Sequence, residues 1–187
     1  MAITQRGLTL EEFLNEPEEK PALEFVDGMV TQKVSPKFRH TWLQSALCTS
    51  FNAFAVPRRL GGAFPEGRAT FAGSSVVPDV VFFRWERIPR SPERKLLDDA
   101  FTPPAIAVEI RSPGQSVRAQ VERCRWYVAN GVEIALQMDP DKPMIRLFRP
   151  GIEPRELRDD DPIDLSEVLP GFQITVRQVF DMLEQLS

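Results

Sequence analysis

The stretch SSVVPDVVFF, residues 74–83, sets Asp79 between Val76, Val77 and Pro78 on one side and Val80, Val81, Phe82 and Phe83 on the other. A short apolar run of this kind predicts a buried strand. A lone carboxylate inside it is costly unless something compensates it. Glu109 repeats the pattern in PAIAVEIRSP, residues 104–113. Singly, each acid reads as a turn cap or the partner of an arginine. Together, on neighbouring strands, they raise a different possibility. Two carboxylates held close in a low-dielectric site repel each other, and a hard divalent cation relieves that repulsion. Mg²⁺ takes one or two carboxylates and keeps waters and phosphate oxygens as its other ligands. Such an ion also polarises a phosphoryl group and lowers the pKa of water. The pair therefore points to phosphodiester hydrolysis.

Composition narrows the classes. The chain has 187 residues, and 42% are hydrophobic. That suits a single folded domain over residues 1–187 and argues against global disorder. A net charge of −4 excludes a basic coat for nucleic acid, so any such contact needs a local patch. Cys48 and Cys124 lie far apart in helix-like stretches and make no zinc pattern. They read as buried reduced thiols of a cytoplasmic protein. MAITQRGLTLEEF is not an apolar signal segment, and no run is long enough to span a membrane. His40 is the one histidine, which excludes sites needing two. No Ser–His–Asp arrangement and no glycine-rich phosphate loop stands out, and no motif asks for an organic cofactor.

Periodicity and punctuation outline the rest. Thr9 and Glu12 form a capping-box pattern ahead of Leu10, Phe13 and Leu14. EPEEKP reads as a polar linker. Asp27-Gly28 inside LEFVDGMVTQ marks a hairpin. Ser35 and Pro36 read as the cap and first position of a helix over 36–55, with Leu43, Leu47, Phe51 and Phe54 at helical spacing. GRATFA reads as a strand, and residues 84–102 as a charged loop. Val117, Val121, Cys124 and Val128 give another helix, closed by Asn130-Gly131. EIALQMDPDKPMIRLFR reads as strand, turn, strand. RELRDDDP reads as a solvated loop. In ITVRQVFDMLEQL, Thr175 and Gln178 supply a second capping box. These elements make a mixed α/β fold with a central sheet flanked by helices.

VVPDVVFF followed by PAIAVEIRSP resembles the Pro-Asp…Glu-x-Lys signature of restriction-endonuclease-like nucleases. The order of the other motifs is similar to that of the Uma2 family of restriction endonucleases. LEFVDGMV resembles its hairpin, SPKFRHTWLQSAL its first long helix, RWYVANGVEIALQMDP its late helix and strand, and LPGFQI its C-terminal segment. The resemblance covers most of the chain. It implies a restriction-endonuclease-like fold, a central mixed β-sheet flanked by α-helices with an N-terminal β-hairpin. It also implies DNA hydrolysis dependent on Mg²⁺ or Mn²⁺, by a homodimer. Asp79 and Glu109 would be metal ligands, with the Ile110 carbonyl and Glu24 as further ones. Glu24 reads equally as an exposed hairpin acid.

The third signature residue, lysine in the motif, is Arg111 here. The helix position where the family places a substitute lysine holds Arg123, and Ala119 stands near the place of a further acid. Arginine binds phosphate bidentately but does not serve as a base. Two readings stay open: an endonuclease using Arg111 and Arg123, or a nuclease-fold module that binds nucleic acid or a protein without turnover. A phosphatase or other hydrolase using the same acids is a third. Arg111 could also simply pair with Glu109. His40 could carry a proton or bind phosphate, and otherwise reads as a surface or partly buried polar residue. Trp126 and Tyr127 read as packing. Arg84, Arg87, Arg90, Arg94 and Lys95 could meet DNA phosphates, although charged runs are usually solvated.

Overall fold

The computed structural model describes the backbone of residues 3–184 and side chains from residue 7 on. The last positions of the C-terminal amphipathic stretch, 185–186, lie outside the described residues, as do residues 1–2 of the N-terminal segment.

SSVVPDVVFF is not one strand. It runs as β6 (Ser74–Val76), a break at Val77-Pro78-Asp79, and β7 (Val80–Arg84). Pro78 has no N–H to give to a ladder, and it restricts the backbone of Val77 before it. The chain uses the break to leave one sheet and enter another. The central mixed sheet expected from the sequence is the larger of the two, and the N-terminal hairpin belongs to the smaller one.

The smaller sheet contains β1 (Ile3–Arg6), β2 (Leu23–Val26), β3 (Met29–Gln32), β5 (Ala69–Phe71) and β6, in the order β1-β3-β2-β6-β5. The β2–β3 hairpin turns where the sequence places it. Asp27 and Gly28 both have positive φ, 51° and 74°, as a type I′ turn requires. β1 packs on its outer side and was not foreseen.

The larger sheet adds β4 (Gly61–Pro65), β8 (Ile106–Ile110), β9 (Ile134–Asp139), β10 (Met144–Arg149) and β11 (Ile152–Arg158) to β7. Its order is β11-β10-β9-β8-β7-β4, and only β8–β9 is parallel. The parallel pair is joined by α3 (Val117–Ala129), as a crossover requires. β11 overturns the reading of RELRDDDP as a solvated loop. Arg155–Arg158 continue an edge strand whose charged side chains face water, a usual guard against edge-to-edge pairing.

The faces of the larger sheet follow strict alternation. Val80, Phe82, Ile106, Val108 and Ile110 point to the side covered by α2 (Phe38–Ala55) and α4 (Val176–Asp181). Val81, Phe83 and Ala107 point to the other side, where Cys124 and Tyr127 of α3 and Phe71 and Val76 of the smaller sheet cover them. Asp79 and Glu109 have the odd numbering of this second face. Both cysteines are buried free thiols.

Helix boundaries differ in one place. α2 begins at Phe38 with Lys37 in the cap position, so Ser35 and Pro36 belong to the approach and no side chain caps the helix. Both capping boxes form, at Thr9/Glu12 on α1 (Leu10–Leu14) and at Thr175/Gln178 on α4.

Candidate functional site

β7 and β8 are antiparallel, with Val80 opposite Val108 and Val81 opposite Ala107. Asp79 lies in the break just before β7, and Glu109 belongs to β8. The N–H of Ile110, next to Glu109, donates to Asp79 Oδ2, and the charges of the two acids act on each other. The two acids read as partners from the sequence are therefore neighbours in the fold. They are only 3% and 5% exposed.

The segment that carries Asp79 is clamped from several sides. The Val77 N–H donates to Glu24 Oε1 at 2.6 Å. The Val77 carbonyl accepts from Lys33 Nζ at 2.6 Å. The Asp79 carbonyl accepts from Gln44 Nε2 at 2.6 Å and from the Glu66 N–H at 3.0 Å. Its carboxylate is held on both oxygens. Oδ2 accepts the Ile110 N–H at 2.7 Å, and Oδ1 accepts from Lys33 Nζ at 2.7 Å. His40 Nε2 stands 3.3 Å from the same Oδ1. It is within ion-pair reach but out of line for a hydrogen bond, so this buried nitrogen has no hydrogen-bond partner. The other ring nitrogen, Nδ1, lies 3.1 Å from Ser112 Oγ.

Glu109 sits in a second constellation. Its Oε1 accepts from Arg123 Nε and from the Tyr127 hydroxyl, both at 2.7 Å. Arg123 Nη1 donates to Glu24 Oε2 at 2.8 Å, and Nη2 donates to Glu24 Oε1. Arg123 thus ties β2 of the smaller sheet to β8 of the larger one. Its own Nε also reaches the Tyr127 oxygen at 2.6 Å.

Three buried acids, Glu24, Asp79 and Glu109, therefore face two cations, Lys33 and Arg123. Burial alone would raise the Asp79 carboxyl, but the Lys33 ammonium, with His40 beside it, outweighs burial and holds it below the usual carboxylate range. Burial pushes Glu109 up. Arg123 offsets only part of that rise, and the neighbouring Asp79 charge adds to it. For Lys33, burial is outweighed by the attraction of Asp79, Glu109 and Glu24, and its pKa rises. One acid is thus kept ionised while its neighbour is eased toward the neutral form, a separation common where acids divide roles.

Beside the acids a cleft of about 350 Å³ opens, lined by Glu24, Lys33, Glu109, Gln115, Gln120 and Arg123. It lies under the N-terminal half of α3.

Several residues singled out from the sequence meet here, and others do not. Asp79, Glu109, Glu24, Arg123 and His40 converge, and Ile110 contributes its N–H. Glu24 is buried, not an exposed hairpin acid. His40, 7% exposed, is not a surface residue. Arg111 does not pair with Glu109. Its Nη1 donates to Asp139 Oδ1 and Oδ2 at 3.1 and 3.2 Å and lies 3.6 Å from Asp141 Oδ2. The acids at the end of β9 and just beyond it draw it away. Of the arginines read as a charged loop, Arg84 ends β7 and is bound to Glu133 at 2.9 Å, and Arg90 lies over the Trp85 ring at 4.4 Å, so part of that charge serves the fold.

Two members were missed. Tyr127 follows Arg123 by one helical turn, so both side chains descend on Glu109; the reading as packing saw only its ring. Lys33 shares the inner face of the hairpin with Thr31, and Thr31 stands opposite Glu24. A lone lysine alternating with a buried acid was the available signal.

A divalent metal is implied by the nuclease resemblance, and the donors can be tested against it. Among the described residues no three His, Cys, Asp or Glu side chains are grouped to hold a metal ion. The neighbouring carboxylates of Asp79 and Glu109 fit a hard cation that keeps most of its waters.

A mixed sheet with helices on its faces, carrying a buried Glu on β8 and a buried Asp just before β7, defines a restriction-endonuclease-like fold. Residues 10–177 match the Uma2 family, described as "Putative restriction endonuclease", and the chain belongs to that family. A solved structure described as a "putative nuclease belonging to DUF820", from Anabaena variabilis, superposes with a TM-score of 0.90 at 30% identity, covering 95% of this chain and 99% of that one. No curated protein matches the chain. Among the described residues no helix is long and apolar enough to cross a membrane.

Proposed function

We propose that this protein hydrolyses phosphodiester bonds of DNA with the help of a divalent cation, Mg²⁺ or Mn²⁺, at the Asp79–Glu109 pair. The observation that carries the reading is the burial of these two neighbouring acids where β7 and β8 meet, with the Ile110 N–H joining them. When bound, the cation supplies positive charge at the phosphoryl group and lowers the pKa of water. Asp79 offers Oδ1, since the Ile110 N–H fixes Oδ2. Glu109 offers the oxygen that Arg123 and Tyr127 leave free. Arg123 and Tyr127 position Glu109, and Glu24 holds Arg123 in place. His40 Nε2, buried and without a hydrogen-bond partner, is placed to take or give a proton next to Asp79. Cutting both strands of a duplex with one site per chain calls for a homodimer, which forms part of the proposal. A cytoplasmic setting, consistent with two reduced thiols, is part of it as well.

A second reading has its own support. Arg123 is committed to Glu24 and Glu109, and Arg111 is drawn through Nη1 to Asp139, away from Glu109, so neither guanidinium faces the acid pair with all of its donors free for a phosphate. A nuclease-fold module that binds without cutting fits that arrangement. Incubating supercoiled plasmid and linear duplex with the protein and Mg²⁺ or Mn²⁺ separates the two. Metal-dependent cleavage that EDTA abolishes, and that Asp79→Asn and Glu109→Gln each remove, supports the nuclease. Cleavage that survives both substitutions refutes the site. No cleavage, with DNA binding intact, favours the binding module.

A further inference from the structure

We infer that Lys33 is the resident cation of the acidic site, holding Asp79 Oδ1 until a divalent cation displaces it into the adjoining cleft. The inference rests on reading Asp79 and Glu109 as a metal-binding pair, and it deepens that reading by naming what the metal must move.

The geometry leaves one place for competition. Asp79 Oδ2 is tied to a strand N–H, which cannot swing away. Oδ1 is tied to an ammonium at 2.7 Å on a four-carbon stem, which can. The ammonium has two partners, Asp79 Oδ1 and the Val77 carbonyl, both in the segment that joins the two sheets. Its backbone is firm, because the Lys33 N–H donates to the Ala22 carbonyl at 2.9 Å and extends the β2–β3 ladder. Only the side chain is free to move. It has room, since Lys33 lines both the 350 Å³ cleft beside Glu109 and a second cavity of about 540 Å³ lined also by Pro36, Glu66 and Val77. The cleft is also where a phosphate opposite Glu109 would sit, so an ammonium displaced into it gains an anionic partner.

This differs from what the residues after Glu109 suggest. Spacing in the signature gives the cation to position 111. In the fold, that position is drawn to Asp139, and the positive charge on Asp79 arrives instead from the hairpin of the other sheet.

Mn²⁺ titration of the full chain, followed by the loss of the free-ion EPR signal, tests the inference without DNA. Lys33→Gln keeps a donor for Asp79 and removes the charge. Lys33→Met removes both. Two neighbouring positive charges compete strongly at short range, so each substitution should tighten Mn²⁺ binding by about tenfold or more. If Lys33→Met fails to fold without metal, Lys33→Gln decides the question. Added Mn²⁺ should also raise the melting temperature of Lys33→Gln more than that of the wild type, because a ligand stabilises the folded state in proportion to its affinity. Unchanged or weaker Mn²⁺ binding in Lys33→Gln would overturn the inference, as would tightening in Arg111→Gln but not in Lys33→Gln. Tightened binding in a protein that cuts no DNA would support the role of Lys33 and count against the nuclease reading alone.

Discussion

Replacing Arg123 with methionine keeps much of the side chain's volume on α3 and removes the guanidinium that joins the two sheets. Glu24, 2% exposed, loses both of its charged contacts and keeps only the Val77 N–H. Glu109, 5% exposed, keeps only the Tyr127 hydroxyl on Oε1. Breaking a buried pair by removing one partner costs about 3–5 kcal/mol, because a charge is left buried without compensation. In a chain of this size that lowers the melting temperature by roughly 6–20 °C. The loss should depend on pH, and the sign is fixed by Glu109. Its folded pKa already lies above the ordinary value of 4.5. A raised carboxyl contributes its stability below the unfolded value and loses it as pH rises through the folded one. Removing Arg123 raises Glu109 further, so the variant suffers most at neutral pH and recovers toward pH 4–5. Urea unfolding of wild type and variant, followed by tryptophan fluorescence at pH 7.5 and pH 5, measures the difference. A loss below about 1 kcal/mol at pH 7.5, the size of a surface pair, or a loss that does not shrink at pH 5, would refute the reasoning.

Two further substitutions probe the same framework. Tyr127→Phe deletes one hydrogen bond to the Glu109 carboxylate and the acceptor for Arg123 Nε; it should cost about 1.5–3 kcal/mol in urea unfolding, the range for bonds to charged groups. Gly61→Ala drives a methyl into the Phe83 carbonyl and the Phe82 ring where β4 meets β7; it should cost at least about 1–3 kcal/mol by thermal melting, as overpacking does, whereas Gly73→Ala, whose Cβ would meet nothing, bears only the strain of its positive φ of 72°.

The parts of this fold that local chemistry dictates were readable from the sequence. The Asp27-Gly28 turn needs two residues of positive φ, and both boxes at Thr9 and Thr175 satisfy their own helix ends, so neither depends on distant contacts. The acids of the site were readable because burial makes a lone carboxylate conspicuous. What could not be read depended on contacts far along the chain. Whether Pro78 ends a strand or changes sheets is decided by Glu24, Lys33, Gln44 and Glu66 closing on it. Arg111 lies two residues from Glu109, yet Asp139 on the next strand claims it. The alternation of Lys33 with a buried acid hints at an inward lysine, but only the packing of hairpin against sheet brings it to Asp79. The charged Arg155–Arg158 read as loop because an edge strand needs few apolar residues, and its partner β10 supplies the hydrogen bonds.

The break at Pro78 has a consequence for how the protein is made. Glu24 and Arg123 are separated by 99 positions and Lys33 and Asp79 by 46. Such non-local contacts form slowly, since loop closure must precede their reward. A chain emerging from the ribosome holds Glu24, Lys33 and Asp79 well before Arg123 and Tyr127 appear, and until then Glu24 and Glu109 lack their shared counter-ion. The acidic cluster is therefore assembled only when both sheets and α3 are in place. An incomplete or truncated copy therefore carries the acids without the counter-ions that hold them in the complete fold.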